Sequence, residues 1–138
     1  MKDYDEPMND QRSIKIHTEA DFDGMRKAGR LAAETMDYVI PFVKPGVTTD
    51  ELNTLCHDFI IDHGATPSPL NYRGFPKSIC TSINHVVCHG IPGDRKLVDG
   101  DIMNIDVTVT LDGWFGDHSR MVPAGKAGVK ARKLIDAT

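Results

Sequence analysis

Asp106 and Asp117 are the residues whose type and spacing point most directly to chemistry. The segment from Ile102 to Leu111 alternates strictly. Ile105, Val107 and Val109 fall on one face, and Asn104, Asp106, Thr108 and Thr110 on the other. Asp112-Gly113 follows at once, a strong hairpin signal. With those two as the central turn residues, the spacing pairs Leu111 with Trp114, Thr108 with Asp117 and Asp106 with Ser119. Asp106 and Asp117 become diagonal neighbours, with Cβ atoms roughly 7–8 Å apart or less. Asp is disfavoured in mid-strand, and an unpaired buried carboxylate is costly. A cation held between the two would remove that cost, as in hydrolytic centres whose paired ions stand about 3.5–4 Å apart. A hydrogen-bonded structural Asp pair is the other reading, and spacing leaves both open.

Cys88-His89-Gly90-Ile91-Pro92 is the second candidate. Ser78–Ile83 and Val86–Cys88 read as strands, which sets His89 at a strand end before a Gly/Pro turn, where binding residues concentrate. Adjacent strand residues point to opposite faces, so Cys88 is not expected to be activated as a nucleophile by His89. His57, His63 and His85 read as ordinary polar-face or loop histidines. Asp94, Asp99 and Asp101 read as solvated loop acids, and Asp112 as a turn residue.

Two amphipathic helices precede these segments. Met25, Ala28, Ala32, Met36 and Val39 form a helical stripe after a Thr18-Glu19-Ala20-Asp21 start suited to capping, and the helix is expected to end or kink at Pro41. Thr48 and Glu51 form a capping box ahead of Leu52, Leu55, Cys56, Phe59 and Ile60, with Gly64 as the stop. Ala65 to Lys77 carries Pro67, Pro69, Gly74 and Pro76 around Tyr72 and Phe75, a composition for a pocket-forming loop without regular structure. Residues 1–13 are polar and charge-mixed and read as a flexible leader before a single folded unit at 14–138.

Sixteen Lys and Arg against twenty Asp and Glu give a net charge of −4, which argues against a nucleic-acid partner. No apolar run approaches the ~20 residues of a membrane span, and the N-terminus has no secretory pattern, so a cytoplasmic protein is expected. Three cysteines without C-x-x-C spacing fit a reducing compartment and read as buried or pocket thiols.

The runs Asn71–Cys80, Ser82–Pro92, Gly100–Thr108 and Gly116-Asp117 together resemble the N-terminal half of a type 1, bacterial-type methionine aminopeptidase, in order and in register from about Ile14 to Val122. The resemblance implies an α+β pita-bread fold, here two helices packed on an antiparallel sheet with a ligand-bearing hairpin. It further implies two divalent metal ions, Co, Mn, Fe or Zn, and removal of the initiator Met from nascent polypeptide N-termini with a small second residue, by attack of a metal-activated water. The partners implied are nascent chains and the ribosome. By the same resemblance Asp106 and Asp117 are metal ligands and His89 is a catalytic, substrate-binding histidine. Tyr72, Phe75 and Cys80 line the pocket for the Met side chain, and Thr108 supports the ligands from behind.

Phe75 stands where the family often has Tyr, and His118 stands where a small or hydroxyl residue is usual. The family's remaining ligands, a His and two Glu, and a second active-site His have no counterpart after Gly116, so the 138-residue chain alone is expected to be inactive. The alternatives are a truncated, non-catalytic relative acting as a binding module, and another pita-bread hydrolase such as a proline-specific aminopeptidase.

Overall fold

The computed structural model describes Ile14 and residues 16–138; the leader expected over 1–13 lies outside the described residues. Helix α1 spans Glu19–Val39 and passes into a 3-10 turn at Ile40–Phe42, where Pro41 removes a helical N–H donor. Thr18 and Asp21 form a reciprocal capping box at its start. Its buried stripe is Ala28, Leu31, Ala32, Thr35, Met36 and Val39; Met25, expected in that stripe, is 46% exposed. Helix α2, Thr49–Asp62, carries the Thr48/Glu51 box and buries Leu52, Cys56 and Ile60. Gly64 ends it at φ 74°, in the left-handed region that glycine enters freely.

The sheet is antiparallel and organised around one long strand. After the two-residue β1, Thr66–Pro67, and the short β2, Cys80–Ile83, come β3, Ile102–Leu111, and β4, Trp114–Pro123. β3 pairs along its whole length with β4 on one side, while β1 and β2 share its other edge. The turn pairs Leu111 with Trp114 and Asp106 with Ser119, as the hairpin spacing requires, with Asp112 and Gly113 both at positive φ. Ile105, Val107 and Val109 are fully buried beneath α1 and α2, each worth roughly 1.5–3 kcal/mol of burial. Gly116 is dictated by this packing, since an added Cβ would stand 2.1 Å from the Ala28 carbonyl oxygen of α1. A third helix, α3, spans Val129–Ala137. No described helix is long and apolar enough to cross a membrane.

Three expectations about the connecting segments are corrected. Regular pairing in the 78–83 run begins at Cys80, because the Ser78 and Ile79 N–H groups are engaged by the Asn53 carboxamide oxygen of α2, at 2.8 and 3.3 Å. Val86–Cys88 is not a strand. Asn84 turns the chain at φ 53°, the Val86 N–H closes back on the Ile83 carbonyl, and Val87 is 92% exposed. Asp101 is a buried acid, not a solvated one. Burial alone would raise its pKa, but the Val98 N–H, the Asn84 amide and the Arg95 guanidinium hold it below the ordinary carboxylate range. Asn84 in turn accepts the Ile102 N–H, so this pair ties the end of β2 to the start of β3.

Candidate functional site

The polar face of the sheet opens onto a cavity of about 820 Å³ whose lining includes Tyr72, Phe75, Cys80, His89, Asp106 and Thr108. Six of the seven residues singled out in the sequence thus meet in one place, and the seventh, Asp117, is held beside them across the hairpin. Asp106 sits in mid-sheet, opposite Cys80 on one side and Ser119 on the other. Thr108 pairs with Asp117 and its hydroxyl donates to the Asp117 carboxylate at 3.2 Å. His118, next to Asp117, lies on the opposite face by strand alternation and sits 3.2 Å from Arg120, which pairs with Asp37 of α1. It does not crowd the carboxylates.

The electrostatics separate Asp106 from an ordinary surface acid. Burial pushes its carboxyl above the ordinary range, and the neighbouring Asp117, by charge and by a hydrogen bond to Asp106, pushes the same way; His89 pulls it back in part. Burial likewise pushes the Cys80 thiol up to about 11, helped by Asp106, so Cys80 stays protonated and serves as an apolar wall. A raised folded-state pKa means that ionised Asp106 opposes folding. The penalty is absent where the carboxyl is protonated in both states and complete above its folded pKa. Asp106→Asn is therefore expected to raise the thermal midpoint of the metal-free chain at neutral pH, with the gain shrinking as pH falls into the acid range. An equal or lower midpoint at neutral pH in a melting series would contradict this.

Backbone geometry, not a strand end, positions His89. His89 adopts φ 52°, and the Gly90 that follows lies so close to β2 that an added Cβ would stand 2.1 Å from the Thr81 carbonyl oxygen. The Thr81 N–H donates to the Gly90 carbonyl at 2.8 Å, and the Gly90 N–H donates to the Ser82 hydroxyl at 3.1 Å. Cys88, expected as a buried or pocket thiol, is exposed because the turn before it faces solvent; Cys56 and Cys80 are buried as expected. His57 hydrogen-bonds Ser78 and His63 stacks on Phe59, both structural roles.

The opposite wall comes from the 65–77 segment, which carries β1 and a 3-10 turn at Tyr72–Gly74 that its composition did not announce. Ser68, Arg73, Ile91 and Phe115 also line the cavity and were not singled out in the sequence. Phe115 was within reach of the hairpin register, since it pairs with Thr110 on the Asp106 face. Arg73 carried no periodic signal.

The donor set fits a divalent cation in part. Two diagonally placed carboxylates, one with its charge disfavoured by burial and by its neighbour, are hard oxygen groups of the kind that suit a divalent cation, yet the described residues contain no group of three or more His, Cys, Asp or Glu able to hold a metal.

The chain is similar to known metallopeptidases. The methionine aminopeptidase of Rickettsia prowazekii (strain Madrid E) is 65% identical over 126 residues, covering 91% of this chain and 49% of that protein. That of Escherichia coli (strain K12) is 52% identical over 128 residues, covering 91% and 48%. The crystal structure of the Rickettsia prowazekii enzyme superposes with a TM-score of 0.90 over 91% of this chain and 51% of that one, at 65% identity. The chain spans about half the length of the curated relatives it matches. Aminopeptidase P from Escherichia coli, at 23% identity and a TM-score of 0.74, shares the fold. Residues 23–138 match the model of metallopeptidase family M24, and the chain belongs to that family.

Proposed function

We propose that these residues form the N-terminal, substrate-facing half of a methionine aminopeptidase site that removes the initiator Met from nascent proteins with a small second residue. The observation that carries the reading is the convergence of a carboxylate pair and an apolar, sulfur- and ring-lined cavity on one sheet face, in a chain 65% identical to a methionine aminopeptidase. Asp106 and Asp117 would hold two divalent cations, Co, Mn, Fe or Zn, together with ligands from beyond these 138 residues. When bound, the ions supply Lewis-acid polarisation of the scissile carbonyl and activate the attacking water. Tyr72, Phe75 and Cys80 receive the unbranched thioether, for which a polarisable apolar wall is well suited. His89, at the cavity wall beside Asp106, binds the scissile amide and hands a proton to the leaving amine. Thr108 fixes the Asp117 carboxylate by its hydrogen bond. The substrates are nascent chains leaving the ribosome in the cytoplasm, a compartment that suits the free thiols of Cys56, Cys80 and Cys88.

The reading is tested with a chimaera in which residues 1–138 are continued by the second half of the Rickettsia prowazekii relative. It is expected to release Met from Met-Ala-Ser while the 138-residue chain alone does not, and to leave an Ala-Pro peptide uncut. A folded chimaera that cuts Ala-Pro in preference would assign the site to a proline-specific aminopeptidase.

A further inference from the structure

Arg73 differs from the rest of the cavity wall in backbone and in charge. Its φ of 47° and ψ of 33° lie in the left-handed region, which residues bearing a Cβ enter at a cost and which, when held in place, marks functional segments. Asn71 at φ 65° and Gly74 at φ 84° flank it in the same region. The conformation is fixed by the Asn71 N–H donating to the Phe75 carbonyl at 2.8 Å and the Tyr72 N–H donating to the Pro69 carbonyl at 3.0 Å. An unconstrained surface loop has no need of this geometry. Its result is to lay the Arg73 guanidinium over the Tyr72 ring, 5.4 Å from the centroid, at the exposed rim of the cavity.

Arg73 is the one Lys or Arg among the described residues lining the cavity, and no carboxylate pairs with it among the described residues. The other charged group in the lining, Asp106, is a half-buried carboxylate on the sheet face. The cavity therefore carries opposite charges at its two ends, negative on the sheet and positive at the rim, with apolar walls between them. The guanidinium lies 5.4 Å from the Tyr72 ring centroid without a carboxylate partner among the described residues, and its fork matches a carboxylate in two parallel hydrogen bonds.

We infer that Arg73 is a specificity residue that receives a carboxylate carried by the substrate peptide beyond its second residue. The inference rests on the methionine aminopeptidase reading, which seats the first residue against Tyr72, Phe75 and Cys80 and sends the rest of the peptide out past the rim. The carboxylate has two sources, an acidic side chain at the third residue or the free C-terminus of a short peptide.

The test uses the isotope-labelled 138-residue chain, titrated with Met-Ala-Glu-amide, Met-Ala-Gln with a free C-terminus, and Met-Ala-Gln-amide, and followed by backbone and arginine side-chain NMR signals. At least one carboxylate peptide is expected to bind about three- to fivefold more tightly than the neutral amide, the range of an exposed ion pair, with movement of the Arg73 Nε–H signal. The peptide that shows the gain identifies the source. The gain is expected to vanish in Arg73→Asn, a change that keeps a residue tolerant of the left-handed region, and to shrink in about 0.5 M NaCl. Equal binding of all three peptides, with shifts at Cys80 and His89 and none at Arg73, would overturn the Arg73 role and leave the Met pocket standing. A gain that survives Arg73→Asn would also overturn it. Absence of any shift at Cys80 and His89 would overturn both readings together.

Discussion

In the chimaera, Asp106→Asn and Asp117→Asn are each expected to lower kcat/KM for Met-Ala-Ser by about a thousandfold or more, some 4 kcal/mol of transition-state stabilisation. Asparagine keeps the shape of aspartate, so the strand pairing of Asp106 with Cys80 and Ser119 and the seat of Asp117 against Thr108 survive the change. What is lost is the charge that holds the cation. Thr108→Val, which frees the Asp117 carboxylate without discharging it, is expected to cost less, about 10- to 100-fold. The same Asp106→Asn change is expected to stabilise the metal-free fold, because the carboxyl is desolvated and pressed by Asp117. Stability and activity moving in opposite directions at one residue separates a functional acid from a structural one. A chimaera that keeps most of its activity in either variant would refute the ligand assignment.

The second large effect falls on folding. Gly116→Ala is expected to destabilise the chain by about 3 kcal/mol or more, which lowers its thermal midpoint by roughly 10 °C. The added Cβ would stand 2.1 Å from the Ala28 carbonyl oxygen, 2.2 Å from its carbon and 2.6 Å from the Gly29 nitrogen, all backbone atoms of α1. Backbone cannot swing aside as a side-chain tip can, so α1 must lift from the hairpin that carries Asp117. Gly29→Ala, with nothing within 4 Å of its Cβ, is the internal control and is expected to stabilise the helix by about 1 kcal/mol. Calorimetric melts of the two variants distinguish close approach from simple glycine content. A Gly116→Ala chain as stable as the parent would show that α1 does not bear on β4 as described.

The features that could be read from the sequence are those governed by short-range periodicity. The Thr48/Glu51 box, the α2 face and the full register of the β3–β4 hairpin each follow from residues close together in the chain, and with them the juxtaposition of Asp106 and Asp117. The errors fall where distant residues decide the conformation. Val86 and Val87 have strand composition, but the Asn84 turn and the return of Gly90 to Thr81 set their shape. Asp101 looks like any loop acid until Asn84, Val98 and Arg95 enclose it. Asn53 and Arg73 gave no pattern at all, the first because it acts across to Ser78 and Ile79, the second because it depends on a turn built from several positive-φ residues. The roles proposed for His89, Tyr72, Phe75 and Cys80 rest on a family resemblance, while the structure gathers the four residues in one cavity.

The most direct test of the carboxylate pair as a metal site is to add Mn²⁺ to the isotope-labelled chimaera, whose second half supplies the remaining ligands, and follow which NMR signals its paramagnetism broadens. If Asp106 and Asp117 hold divalent cations, broadening begins at Asp106, Thr108 and Asp117, spares the exposed acids Asp94, Asp99 and Asp112, and disappears from the sheet in Asp106→Asn. Broadening confined to those exposed acids, or a sheet signal that persists in Asp106→Asn, would contradict it.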